Sequence, residues 1–315
     1  MTDFRIGILL WSQGATWPEM LDAARRVDAL GYDHLWTWDH LHAIMGDPHQ
    51  PIYEGYVVLG ALAAATERAK LGLLVGANTF RNPGVVAKAV TTLDHVSGGR
   101  AIAGLGGAWF EYEHAAHGIE FGSGFGQRLD WMDESVAAIR SLLDGGVVTS
   151  APGGHYAFDA LEQQPLPIQR HVPIMIGGSG EKKTLRTVAR FADYWNASAA
   201  PAVLRHKTAV LDAHCAAVGR DPASIIRSTT SWIVIRDSRA AAERVWADQM
   251  ARNRSSLLEE ENYRKFLGPP DYVAEKLLEH VASGFDTTIV ELPTTYDIET
   301  IERLIGEVKP LVDRG

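Results

Sequence analysis

Short apolar runs alternate along the chain with longer stretches whose apolar residues recur every three to four positions. The short runs are residues 4–10 (FRIGILL), 34–39 (HLWTWD), 70–77 (KLGLLVGA), 100–106 (RAIAGLG), 173–177 (PIMIG), 194–198 (YWNAS), 229–235 (TTSWIVI) and 287–292 (TTIVEL). They are too short for helices, and the pattern predicts eight buried strands. A helix is predicted from Thr16-Trp17-Pro18-Glu19, where a capping residue precedes a first-turn proline, to Leu30, with Gly31 as its stop. Further helices are predicted over 55–66, 83–96, 126–144, 180–192, 202–218, 238–252, 270–283 and 297–312. The Gly- and Pro-rich stretch 151–168 reads as an insertion after strand four. Residues 252–268, with the run Glu259-Glu260-Glu261, read as a solvated, mobile insertion after strand seven.

Eight strands, each followed by a helix, is the pattern of an α/β protein, a (β/α)8 TIM barrel in one domain over 1–315. A doubly wound open sheet is the competing architecture, and the strand count favours the barrel. In a barrel the functional residues sit at the C-terminal strand ends. Those ends carry Trp11, Trp38-Asp39-His40, Asn78, Gly104 to Trp109, Gly177 to Gly180, Trp195-Asn196, Trp232 and Glu291.

The chain has 315 residues, a single cysteine and a formal net charge of -9. One cysteine excludes an intrachain disulfide framework, and Cys215 reads as an inert packed residue. No dense Lys/Arg run offers a phosphate-backbone footprint, so nucleic acid is not an expected partner. No run of about 18 apolar residues is present and the start lacks a signal pattern, so a cytoplasmic protein without membrane contact is expected.

Gly177-Gly178-Ser179-Gly180 precedes a helix, and such a start is suited to an anion. It is not a Walker loop, because Glu181 follows, and Gly104-Leu105-Gly106 does not complete a dinucleotide fingerprint. The tryptophans Trp11, Trp38, Trp109 and Trp232, with Trp195 beside them, converge with the glycine runs on one mouth. An aromatic wall beside close-approach backbone suits a flat polycyclic ligand with a phosphate tail. Core packing is the alternative for each tryptophan taken singly. Asp39-His40 offers a positioning carboxylate and a proton carrier, and a structural pair is the alternative. His40-Leu41-His42 and His114-x-x-His117 lack a third ligand, so no metal is expected. No Gly-x-Ser-x-Gly elbow is present, which removes the serine-hydrolase reading.

The segments LWTWDHL (35–41), LGLLVGANTFRNPGVVAKAVTTLDHVSGGRAIAGLGGAWFEYEHAAHGIEF (71–121) and PIMIGGSGEKKTLRTVARFADYWN (173–196) resemble the luciferase-like monooxygenase superfamily, in its branch that uses coenzyme F420, an 8-hydroxy-5-deazaflavin. The resemblance covers most of the first two thirds of the chain and is looser in the last third. It implies a bacterial-luciferase-like barrel, a homodimer, and a deazaflavin or FMN ring lying across the strand ends. It also implies a non-prolyl cis peptide in strand three, at Leu74-Val75 or Val75-Gly76, against the back of the ring. By the same resemblance Asp39 and Asn78 contact the ring. Gly106, Gly107 and Ala108 meet its edge and side chain, and Gly177, Gly178, Ser179 and Gly180 hold the phosphate.

His40 matches a catalytic histidine of the sugar-phosphate dehydrogenase branch. That branch has a carboxylate where this chain has Trp109, a glutamate at Gln13 and a tryptophan at Ile44, so sugar-phosphate chemistry is not expected. Glu111 and Glu113 are the candidates for the missing acid. The expected activity is hydride transfer between coenzyme F420 and a hydrophobic or aromatic organic substrate, with His40 exchanging the proton. The alternatives are an FMN-dependent monooxygenase served by a reductase partner and a cofactor-binding relative without turnover. Lys182 and Lys183 are weak candidates for an acidic cofactor tail.

Overall fold

The computed structural model describes residues 4–255 and 263–315. Eight parallel strands form a closed barrel: β1 (Arg5–Leu10), β2 (His34–Thr37), β3 (Lys70–Leu73), β4 (Ala101–Gly106), β5 (Ile174–Gly177), β6 (Tyr194–Asn196), β7 (Ile226–Ile235) and β8 (Thr287–Leu292). Each strand pairs with the next, and β8 pairs with both β7 and β1, so the sheet has no free edge along this circuit. Helices cover the outside, which is the (β/α)8 architecture that the strand count favours.

Alternation along the strands builds two apolar layers. In β1, Ile6, Ile8 and Leu10 join the cluster under the helices, whereas Leu9 joins the second cluster. Leu35 against Trp36 in β2, and Ile174 and Ile176 against Met175 in β5, divide the same way. Trp36 occupies the barrel centre because two neighbours have no side chain. A Cβ on Gly7 would stand 2.9 Å from its Nε1, and one on Gly72 would stand 2.6 Å from its six-membered ring. Each large apolar side chain buried in these layers contributes about 2–3 kcal/mol.

The first helix, Trp17–Ala29, begins where expected; Glu19 Oε2 accepts from the Thr16 N–H at 3.1 Å, closing its N-terminus. The last helix departs from expectation. It runs as Ile298–Arg303, a π-helical turn Leu304–Val308, and Lys309–Arg314. Pro310 has no N–H for the Gly306 carbonyl, so the ladder widens there. A short helix that periodicity did not reveal, Glu111–His117, follows β4 and ends at Gly118, whose φ is 65°.

Both insertions have consequences for the mouth of the barrel. Val148 and Leu161 pair antiparallel across the first, closing it into a hairpin-like loop. In the second, Lys265–Gly268 is a strand, not solvated loop, and it pairs in parallel with Trp232–Ile235. Only the first part of β7 therefore stays in the barrel, with Ile226–Ser228 against β6 and Ser228–Ser231 against β8. The Glu259-Glu260-Glu261 run lies outside the described residues.

Candidate active site

A cavity of about 490 Å³ opens at the C-terminal ends of the strands. That size is within the range of small-molecule and cofactor sites. Its floor is the segment that follows β3. The Leu74–Val75 peptide is cis, at one of the two expected positions, and the two-residue strand Gly76–Ala77 then pairs with the end of β4. The chain bulges here only because β4 and β5 present glycines. A Cβ on Gly104 would stand 1.8 Å from the Leu73 carbonyl oxygen, and one on Gly106 would stand 2.5 Å from Val75 Cγ2. Val75 thus lies against the backbone of Gly106 and Gly177 and faces the cavity.

Asp39 holds this floor in place. Its Oδ2 accepts from the Ala77 N–H at 2.9 Å, and Arg81 donates to both carboxylate oxygens at 2.8 and 2.9 Å. The same guanidinium also pairs with Glu54 and lies 5.0 Å over the Tyr56 ring. Burial alone would lower the Arg81 pKa. The Asp39 and Glu54 carboxylates outweigh it and hold the guanidinium above its ordinary value. Asp39 is 2% exposed, and three bonds leave its carboxylate a structural clamp on the floor while it still borders the cavity.

His40, next in the chain, also borders the cavity. Its Nδ1 is 2.9 Å from Glu113 Oε1, and Glu113 Oε2 accepts from the Leu41 N–H at 2.8 Å. Glu113 belongs to the short helix after β4 and is buried, so one carboxylate fixes both the imidazole and the loop that carries it. Of the two acids named from the sequence, Glu113 reaches the cavity and Glu111 is exposed on the surface. Trp109 and Phe110 approach the His40 ring edge-on at 5.6 and 6.4 Å.

The tryptophans divide. Trp38 and Trp109 border the cavity, and Trp109 is 60% exposed. Trp11 does not border it: it is fully buried behind Trp38, with ring centroids 4.7 Å apart. Trp232 is also displaced from the expected wall, because β7 leaves the barrel at this residue to pair with Lys265. Its ring packs 5.8 Å from Trp246 under the Arg264 guanidinium. Trp195 points outward to Phe285 and donates from Nε1 to the Gly178 carbonyl at 2.8 Å.

Of the glycine runs, Gly106, Gly107, Ala108, Gly177, Gly178 and Ser179 border the cavity, as do Leu74, Val75 and Gly76. Gly180 does not; it sits behind, against Thr184. Gly178 adopts φ of 122°, which a side chain rarely tolerates, and its N–H is already given to the Asn196 carbonyl at 2.9 Å. The expectation of freely offered N–H groups therefore fails at Gly178. Asn78 is buried away from the cavity as well. Its amide nitrogen faces the Gly106 carbonyl at 2.8 Å and its oxygen faces the Met132 N–H at 3.3 Å, so it joins the end of β4 to the helix Phe125–Leu143.

The histidine pairs are spoken for. His114 bonds Thr79 Oγ1 and the Phe110 carbonyl, His42 the Pro48 carbonyl, and His117 the Glu113 carbonyl. Among the described residues, no group of three or more His, Cys, Asp or Glu side chains is arranged to hold a metal ion.

Of the last wall, only Glu291 was foreseen. Ser198 just after β6, Thr230 of β7, Glu291 of β8 and Arg264, which precedes the strand Lys265–Gly268, border the cavity. Arg264 donates from Nη1 to Thr230 Oγ1 at 3.0 Å and to Glu291 Oε1 at 3.4 Å, with its guanidinium 4.2 Å above Trp232. Trp232 Nε1 donates to Glu291 Oε2 at 3.2 Å, which closes the triad. Glu291 was visible as a strand end. Arg264 carried no signal, since it adjoins the acidic run read as solvated.

Residues 2–265 match the family model described as luciferase-like monooxygenase. The chain belongs to the luciferase-like monooxygenase family. Among relatives of this luciferase-like chain, the F420-dependent glucose-6-phosphate dehydrogenase of Microbacterium testaceum is 28% identical over 314 residues, 92% of this chain and 91% of its own length. A solved F420-dependent secondary alcohol dehydrogenase in complex with an F420-acetone adduct superposes with a TM-score of 0.83 at 20% identity, covering 99% of both chains. The oxygenating constituent of 3,6-diketocamphane monooxygenase from Pseudomonas putida, in complex with FMN, superposes with a TM-score of 0.74 at 16% identity, covering 98% of this chain and 99% of that one. At these identities the two solved structures speak for the fold. Among the described residues of this family member, no helix is long and apolar enough to cross a membrane.

Proposed function

We propose that this chain is a coenzyme F420-dependent oxidoreductase that transfers a hydride between the deazaflavin and a hydrophobic or aromatic organic substrate. The observation that carries the reading is the cavity floor. The segment after β3 lays Val75 against the bare backbones of Gly106 and Gly177, a shelf at the cavity floor on which a planar ring fits without obstruction from side chains at those glycines. The names of the relatives add support for both coenzyme F420 and FMN as the kind of ring that lies there.

When bound, the deazaflavin supplies a two-electron hydride carrier with little reactivity toward oxygen. The chain's own residues then have distinct tasks. Leu74, Val75 and Gly76 support the ring from behind, with Asp39 and Arg81 fixing that segment. Gly107 and Ala108 face its edge, and Ser179 beside Gly177 and Gly178 faces the phosphate end. His40 is the proton donor or acceptor. With Nδ1 held by Glu113, its Nε2 is the nitrogen left for exchange with substrate. Trp38 and Trp109 wall the substrate space and exclude water from it.

Titration of purified protein with coenzyme F420 and, separately, with FMN, followed by fluorescence, tests the reading. Micromolar or tighter deazaflavin binding that is lost in Gly178→Val is expected. Tight FMN binding without deazaflavin affinity would instead favour the reduced-flavin monooxygenase of the same family, with a reductase partner and oxygen consumption. Binding of neither refutes the cofactor assignment.

A further inference from the structure

We infer that the cavity selects an uncharged substrate, an apolar body bearing one hydroxyl or carbonyl group, because Glu291 of β8 cancels the charge of Arg264, the residue before the strand Lys265–Gly268, on one wall. The inference rests on the proposed function only in taking the cavity as a substrate site. Its basis is the arrangement of charge.

Among the described residues, three carboxylates border the cavity, those of Asp39, Glu113 and Glu291. Asp39 is neutralised from outside the lining by Arg81, and Glu113 is held against His40. Arg264 is the one guanidinium among the described lining residues, and it is engaged by Glu291 and Thr230 and stacked on Trp232. Glu291 is itself fixed by the Trp232 Nε1–H, so it cannot swing away to release Arg264 at no cost. An anionic substrate group placed here would meet Glu291 at close range in a poorly solvated pocket, where repulsion between like charges is strongest. A hydroxyl or carbonyl meets no such opposition and finds on the same wall the Ser198 and Thr230 hydroxyls, whose mutual hydrogen bond uses one of their two O–H donors and leaves the other for the substrate. The phosphate end of the cofactor is a separate matter, since it would face backbone at Gly177 to Ser179.

The test uses the full-length protein without added cofactor and reads the change in intrinsic tryptophan fluorescence, to which Trp38 and Trp109 contribute from the cavity wall, on titration with 2-octanone or octanoate at neutral pH. The wild type is expected to bind 2-octanone at least about tenfold more tightly than octanoate. Glu291→Gln keeps an acceptor for Trp232 and removes the charge. It is expected to tighten octanoate about tenfold while moving 2-octanone less than about threefold. Arg264→Met leaves Glu291 uncompensated and is expected to weaken octanoate further. Equal binding of the two probes by the wild type overturns the inference. So does a parallel shift of both probes in Glu291→Gln, or no binding of either. Because no cofactor is present, the deazaflavin titration succeeds or fails independently of this result.

Discussion

His34 opens β2 inside the barrel, 2% exposed, with its ring edge-on to Tyr194 at 5.6 Å. Its Nδ1 has no hydrogen-bond partner among the described residues. Burial, with the positive charges of Lys70 and Arg5 adding to it, pulls its pKa from the ordinary value of 6.5 down to about 3. The folded protein therefore keeps this ring neutral through the range in which the unfolded chain takes up a proton. Between pH 6.5 and about 3 the unfolded state binds more protons, so stability rises with pH and is lost on acidification. At about 1.4 kcal/mol per pH unit, this one group removes about 2 kcal/mol between neutral pH and pH 5, and about 5 kcal/mol once the pH falls to the folded value. The perturbation is His34→Phe, which keeps an aromatic ring beside Tyr194 and cannot be protonated. Urea unfolding of both proteins at pH 7.5 and pH 5 measures the difference. Other titrating groups, including His280, whose pKa burial also lowers, act on both proteins and cancel. The wild type should lose about 2 kcal/mol more than the variant on acidification. Equal losses would refute the account of His34 as a neutral plug.

Arg81→Met should destabilise the fold by about 3–5 kcal/mol, because it leaves the Asp39 carboxylate buried without its partner. Arg81→Lys should recover only part of that, since an ammonium cannot reproduce the two-pronged contact; denaturant unfolding of the pair checks both. Glu113→Ala should cost about 1–3 kcal/mol by orphaning the Leu41 N–H, read by the same method. The His40 ring, freed from Glu113, should show a changed Nδ1 chemical shift in nitrogen NMR as that hydrogen bond is lost, whereas an unchanged ring would refute the positioning role. Gly104→Ala should cost about 3 kcal/mol or more, because its Cβ would collide with the Leu73 carbonyl; a thermal melt within a degree of the wild type would refute the tight approach of β3 and β4.

What the sequence disclosed of this molecule follows from the range of the interactions involved. Strand positions were readable because inward and outward residues alternate locally, as in Ile6, Ile8 and Leu10 against Leu9. Once eight strands are placed, closure decides which loops share a mouth. Thus Trp38, Asp39, His40 and the glycines of β4 and β5 could be brought to one cavity from the chain alone. The misplacements have another origin. Trp232 lies within the predicted strand 229–235 and looks like a wall residue, but Lys265, 33 residues on, draws that half of β7 out of the barrel. Trp11 obeys the strand-end rule and is still hidden, because Trp38 takes the space in front of it. The charged partnerships were least visible of all. His40 finds Glu113 across 73 residues and Arg264 finds Glu291 across 27, and neither pair has a periodic signature. Charges on separate loops meet only after the barrel has fixed the distances between strand ends. The chain's pattern therefore discloses where the site lies, while its charge balance, which decides what the site accepts, is a property of the closed barrel.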